Sequence, residues 1–321
     1  MLYPLRFVPI FRRYLWGGRR LGTILGKELA AGEDYAESWE IVDHGADQSR
    51  VLAGALEGRT LAEVVRDFGN AFYGSQQAVT PFPLLFKFLD AHQNLSLQVH
   101  PNDEQARQLV PPDRGKTEAW VVMHAEPGSV IYAGLKRGFD RAAFERELAR
   151  GTAELCLHRI EPQVGDCIFI PAGTIHAIGA GLLIAEIQQS SDTTYRLFDW
   201  NRRDAEGRPR TLHLDQGLAV TDFSRGPVTK QLPMATEQTE RERLVACPHF
   251  VMDRWTLDRQ LDLAGDQRFH LFAVLQGRVQ VSGDPAGKPL STGQTMLIPA
   301  ACGPVGVVPL EPTLLLDVYL P

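Results

Sequence analysis

Cysteine is scarce in this 321-residue chain: there are four, Cys156, Cys167, Cys247 and Cys302, and no two form a CxxC pair. That spacing argues against a thiolate zinc site, and a chain of this length does not depend on a disulfide framework. A reducing, cytoplasmic setting is therefore the expected one. An excess of positive charge is also missing, since the formal net charge is −6. Nucleic acid is thus not expected as a partner, because phosphate backbones select basic faces. Long apolar runs are absent too. No stretch nears the ~20 apolar residues that span a bilayer, so no membrane partner is expected. The opening residues alternate apolar and basic side chains and lack the apolar centre of a signal peptide. What is present is an ordinary globular balance, 44% hydrophobic and 22% charged. A small phosphorylated substrate needs only a few local cations on such a surface.

Glycine and proline are plentiful, 29 and 21, and they punctuate many short apolar runs. Runs such as Leu95–Val99, Ala119–Met123, Ser129–Tyr132, Cys167–Ile170 and Leu182–Ile187 have strand length and are bounded by turn residues. The chain is expected to be mainly β. Helical signals are local. Thr60-Leu-Ala-Glu-Val-Val-Arg-Asp-Phe reads as an amphipathic helix with Glu63 closing a capping box. A second helix starts at the cap Asp140 and stops at Gly151. The polar stretch 224–245 reads as a connection between two β units.

An internal repeat supports two such units. Gly165-Asp-Cys-Ile-Phe-Ile-Pro-Ala-Gly-Thr-Ile-His176 aligns without gaps on Gly293-Gln-Thr-Met-Leu-Ile-Pro-Ala-Ala-Cys-Gly-Pro304. A glycine turn, a buried strand and a proline exit make the recurrent hairpin of a cupin-type jelly roll. The expected architecture is two cupin-type jelly-roll units with a small helical insertion. Residues 1–235 would form the catalytic unit, with helical segments near 60–70 and 103–152. Residues 236–321 would form a degenerate cupin-like β domain without a metal site, because Pro304 stands where His176 does.

The chemistry concentrates in three places. In Asn94-Leu-Ser-Leu-Gln-Val-His-Pro-Asn-Asp, strand alternation puts Ser96, Gln98 and His100 on one face and Leu95, Leu97 and Val99 on the other. A lone strand with this pattern is most often half-exposed, its polar side in water. Glu118, in Gly-Lys-Thr-Glu-Ala-Trp, is by itself an ordinary carboxylate. His176, between Ile175 and Ala177, is by itself a hydrogen-bonded core histidine. Together they supply two imidazoles, a carboxylate and an amide oxygen, a set suited to Zn²⁺ and acceptable to Mn²⁺ or Fe²⁺.

These runs occur in order with Ser-Asp-Thr-Thr-Tyr-Arg-Leu-Phe-Asp-Trp, and with Tyr14-Leu-Trp-Gly-Gly and Ala36-Glu-Ser-Trp-Glu40 before them. In this the sequence resembles type I (class I) mannose-6-phosphate isomerases in their short bacterial form, members of the cupin superfamily. The resemblance has specific motifs from about residue 5 to 216 and continues more weakly beyond. It implies a zinc-dependent aldose–ketose isomerase acting on mannose 6-phosphate and fructose 6-phosphate, with one Zn²⁺ per chain held by Gln98, His100, Glu118 and His176. Longer relatives carry a histidine just before the Lys-x-Glu motif; Gly115 stands there, so no role of that histidine transfers.

The reaction moves a proton between C1 and C2 through an ene-diol, which requires a base, an oxyanion partner and a phosphate anchor. Glu186, a carboxylate inside the apolar run Leu-Leu-Ile-Ala-Glu-Ile, suits a general base because burial disfavours its charged form, and it equally suits a buried arginine partner. Lys116 would share the side of Glu118. The resemblance places both in the active site together with Arg196. The expected proton carrier is Glu186 or Lys116, with Arg196 expected to supply electrostatics and Asp199 and Trp200 to support it. Ser96 and Lys87 are the substrate-binding candidates for the phosphate. A lysine in an apolar run such as Leu-Leu-Phe-Lys-Phe-Leu otherwise snorkels to solvent. Trp16 is a pocket wall or a core residue. The rival readings are a non-enzymatic sugar-binding cupin, an iron-dependent cupin dioxygenase, and an isomerase of another phosphosugar. The partner expected is a small phosphorylated sugar, in a monomer or a homodimer.

Overall fold

A computed structural model describes residues 1–203 and 206–321. The chain is mainly β, with several antiparallel sheets and few helices, in keeping with a cupin-like fold. It divides into two compact units. A terminal unit comprises Met1–Arg12, Arg19–Phe88 and Leu232–Pro321, and a central unit comprises Arg13–Gly18 and Leu89–Gln231.

In the central unit, five strands run in the order Leu157–Ile160, Ile131–Leu135, His176–Ile178, Leu97–Val99, Tyr195–Phe198. Three others, Cys167–Ile170, Glu118–Ala125 and Leu182–Gln189, pair in that order. The outward face of the five-stranded sheet carries Leu97, Val99, Ile175, Ala177, Leu197 and Phe198, packed with Phe144 of the helix Arg141–Arg150. That helix starts as its sequence requires: the Asp140 carboxylate accepts from Ala143 N at 2.8 Å, and Gly151 closes it at φ 72°.

In the terminal unit, six strands in the order Met234–Ala235, Arg241–Ala246, Val251–Leu257, Thr313–Tyr319, His270–Gln276, Thr295–Ile298 accompany a four-stranded sheet built on Pro304–Pro309. Their core holds Trp255, Phe272, Val279, Met296, Ile298 and Leu315. The helix Leu61–Tyr73 carries the expected capping box, with Glu63 N bonded to the Thr60 hydroxyl and the Glu63 carboxylate returning to Thr60 N. Its last turn packs Phe72 and Tyr73 against Phe82 and Phe269.

The internal repeat is structural. The strands Cys167–Ile170 and Thr295–Ile298 occupy equivalent places in it, and His176 and Pro304 each open the next strand. Gly165 and Gly293 both take positive φ, 89° and 78°, and both donate their N–H to a strand valine, Val122 and Val274, at 2.8 Å. The left-handed turn explains why glycine recurs there.

Candidate metal centre and active site

The polar stripe Ser96–Gln98–His100 does not face water. Ser96 and His100 are buried and Gln98 is partly buried. Register explains what it meets. Gln98 stands opposite His176 on one neighbouring strand and opposite Arg196 on the other, so the three share one face in a single row. Glu118 begins its own strand, with Trp120 next on the same side and Glu186 directly across from Trp120. Two sheets thus turn these faces together, and the Trp120 ring meets His176 edge-on at 5.4 Å.

At the centre, Glu118 Oε1 is 3.2 Å from His176 Nε2, and Oε2 is 3.6 Å from His100 Nε2. Gln98 Nε2 is 3.4 Å from the same His176 nitrogen. Both imidazoles are fixed from behind. His100 Nδ1 donates to the Thr193 carbonyl at 3.0 Å and His176 Nδ1 to the Thr174 carbonyl at 2.8 Å. With the proton on Nδ1, each Nε2 lone pair points inward, the usual state of a ligating histidine.

The residues fit a divalent ion. One atom from each of His100, Glu118 and His176 lies within 4.8 Å of the others, all buried. Ligands at 2.0–2.1 Å around a tetrahedral ion lie about 3.3 Å from one another. The contacts of 3.2, 3.4 and 3.6 Å straddle that value. Glu118 Oε2 is buried and, apart from its ion pair with Lys116 at 3.3 Å, accepts no hydrogen bond, so a metal–ligand bond would satisfy it. Gln98 would present oxygen with its amide turned over, because its nitrogen now faces His176.

Lys116 reaches the same carboxylate, its Nζ 3.3 Å from Glu118 Oε2 and 3.4 Å from His100 Nε2. Burial pushes the Glu118 carboxyl up, but Lys116 and the two histidines outweigh it and hold it well below the usual range. Burial and the Lys116 charge push His100 well down, which keeps it neutral. Arg196 is half-buried, with its Nη1 bonded to the Thr211 carbonyl at 2.9 Å.

Lys87 and Trp16 sit differently. Lys87 is in the terminal unit and does not snorkel: it is 5% exposed, 3.4 Å from Glu37, and lies over the Trp39 ring. Glu37 in turn accepts from Trp39 Nε1 at 2.5 Å. Trp16 is buried and stacked on Tyr14 with ring centroids 5.7 Å apart. Ser96 Oγ lies 3.4 Å from Gln98 Oε1. Asp199 acts on Arg196 through its charge, while its direct contacts and that of Trp200 lie with other groups. Asp199 takes Arg202 and Arg210, and Trp200 Nε1 donates to the Leu95 carbonyl.

Sequence reasoning missed the scaffold behind His100. The Asp113 carboxylate accepts from Ser191 Oγ at 2.7 Å and Thr193 Oγ1 at 2.6 Å, which sets the Thr193 carbonyl. Asp103 accepts from Gln189 Nε2 at 2.9 Å, and Gln189 Oε1 accepts from Thr117 N at 3.0 Å. The only signal for it is the Ser-Asp-Thr-Thr run.

A buried His–Glu–His centre with a lysine on its carboxylate, in a mainly β, cupin-like chain, defines a class: enzymes whose β-sheet interior can carry a divalent ion. Comparison with known proteins narrows it. The model of the type I phosphomannose isomerase catalytic domain matches residues 5–116. The chain is 35% identical over 303 residues to mannose-6-phosphate isomerase ManA of Bacillus subtilis, covering 94% of each chain. It is 32% identical over 299 residues to a mannose-6-phosphate isomerase of Streptococcus mutans, covering 93% of each. The crystal structure of the Bacillus subtilis mannose 6-phosphate isomerase superposes with a TM-score of 0.89 at 27% identity, over 99% of this chain and all of that one. The chain belongs to the type I phosphomannose isomerase family, and it is an isomerase.

Proposed function

We propose that this enzyme interconverts mannose 6-phosphate and fructose 6-phosphate as a zinc-dependent aldose–ketose isomerase working through an ene-diol. The observation that carries the reading is the His100–Glu118–His176 centre, with both Nε2 atoms turned onto one carboxylate and Lys116 beside it. Gln98, His100, Glu118 and His176 would hold one Zn²⁺ per chain. Bound there, it would supply Lewis-acid polarisation of the sugar oxygens.

The residues then divide the work. In the aldose-to-ketose direction a base removes the proton from C2 while the C1 oxygen gains one, giving the ene-diol. The O2 proton then leaves and C1 receives one, giving the ketose. Glu186 or Lys116 carries the carbon proton. Arg196, in the same row as Gln98, offsets the charge that develops on oxygen. Ser96, Lys87 and Trp16 are assigned to the substrate, a small phosphorylated sugar. The surrounding sheets are assigned to a catalytic cupin jelly roll within residues 1–235 and a companion unit over 236–321 without a metal site. A cytoplasmic enzyme is the setting this reading assumes; among the described residues no helix is long and apolar enough to cross a membrane.

The test is a coupled assay of mannose 6-phosphate conversion on protein stripped of metal and reloaded with Zn²⁺. Loss on stripping and recovery on reloading support the reading. Binding of mannose 6-phosphate without conversion, in fully loaded protein, would make it a sugar-binding module instead.

A further inference from the structure

Arg196 is not the only guanidinium at its end of the sheet. Asp199 accepts from Arg202 Nη2 at 2.5 Å and lies 3.4 Å from Arg210 Nη1. Burial lowers the pKa of Arg196, and the charges of Arg210 and Arg202 lower it further while Asp199 raises it. Arg202 and Arg210 therefore contact one carboxylate, and the half-buried Arg196 feels the charges of all three. Repulsion of this kind is relieved by a bound anion, and planar guanidinium forks match a phosphate well.

The cluster is pinned beside the substrate-facing stripe. Arg202 Nη1 donates to the Asn94 carbonyl and Trp200 Nε1 to the Leu95 carbonyl, both at 2.7 Å. These are the two residues just before Ser96. Phe198 stands opposite Leu97, so Asp199, one residue further on, falls at the level of Ser96. Ser96 shares its face with Gln98 and so with the metal row.

The two outer arginines differ in what they have left to give. Arg202 is spent: Nη2 binds the Asp199 carboxylate, Nη1 the Asn94 carbonyl, and Nε the Asp199 carbonyl at 3.3 Å. Arg210 makes one long contact, through Nη1, and its side chain is 29% exposed. Its Nε and Nη2 have no acceptor among the described residues.

We propose that Arg210 binds the phosphate of the substrate together with Ser96, and that the Asp199–Arg202 pair positions it. This rests on the reading above that the substrate is a sugar phosphate.

The experiment compares wild type with Arg210→Ala and Arg210→Gln, using zinc-loaded protein. Two quantities are read: KM for mannose 6-phosphate, and the affinity for inorganic phosphate measured by calorimetry and as competitive inhibition. Both should weaken ~10- to 100-fold in both variants, the loss falling on KM rather than kcat, with zinc content held. Arg210→Lys should recover part of it. An unchanged KM and phosphate affinity in either folded variant overturns the proposal. So does a loss confined to kcat, which would mean that Arg210 acts through Arg196. If the wild type fails to convert mannose 6-phosphate, the isomerase reading fails. Calorimetry with inorganic phosphate then still decides whether Arg210 holds an anion.

Discussion

Glu118 Oε1 lies 3.2 Å from His176 Nε2, and the histidine is held in that orientation by the Thr174 carbonyl 2.8 Å behind its Nδ1. A carboxylate and an imidazole this close, both about 1% exposed, suit a pair of metal ligands. His176→Ala should therefore lose metal rather than fold. Metal content by plasma emission is expected to drop from about one zinc per chain to near zero, with the thermal transition of the apo-protein within a few degrees of wild type. Chelation of the wild type should abolish conversion and Zn²⁺ should restore it. An unchanged rate after complete demetallation would sink the zinc mechanism.

Arg196 stands opposite Gln98, and its guanidinium rests on the Thr211 carbonyl. Its contribution is expected in the transition state. Arg196→Ala should keep its zinc and lose turnover by ~10²–10³-fold, the usual effect of deleting one electrostatic partner of a developing oxyanion. Steady-state kinetics with metal analysis on the same sample checks this. A variant that loses metal in proportion to activity would make Arg196 structural.

Strand alternation puts Ser96, Gln98 and His100 on one face, but it was the resemblance, not spacing, that joined Glu118 and His176 to them; the structure brings His100, Glu118 and His176 together. What the stripe faced was not legible. A polar stripe looks the same whether it meets water or another sheet, and only the pairings of Gln98 with His176 and Arg196 decide. The burial of Lys87 was hidden for a related reason. Its partner Glu37 lies far away along the chain, so snorkelling looked the natural outcome. The carbonyls of Thr174 and Thr193 leave no trace in residue identity at all.

The Asp113 scaffold gives a third expectation. Its carboxylate fixes Ser191 and Thr193, and the Thr193 carbonyl fixes His100. Asp113→Ala should leave the four proposed ligands in place yet weaken zinc ~10- to 100-fold, as removal of an outer-shell partner does. Competition with a chromophoric chelator reads this directly. An affinity equal to wild type would show that the loop is held without Asp113.

A buried charge network in the terminal unit sets how stability responds to pH. His270 is clamped by Asp317 at 2.7 Å on Nδ1 and Asp266 at 2.9 Å on Nε2. Burial alone would push the imidazole down, but the two carboxylates win and raise it from 6.5 to about 10. Because the folded value lies above the unfolded one, the proton favours the fold. The stabilisation is complete below about pH 6.5 and drains away as pH rises toward 10. Neighbouring Asp253 is held by Arg241, Arg243 and Tyr319, and it raises the pKa of both arginines, which stay charged across that window. His270→Gln should cost roughly 3 kcal/mol at pH 6, the scale for breaking a buried ion pair, and progressively less toward pH 10. Urea unfolding of both proteins at pH 6, 8 and 9.5 measures the difference. A gap that stays constant over that range would mean that His270 stabilises the sheet by packing and not by its charge.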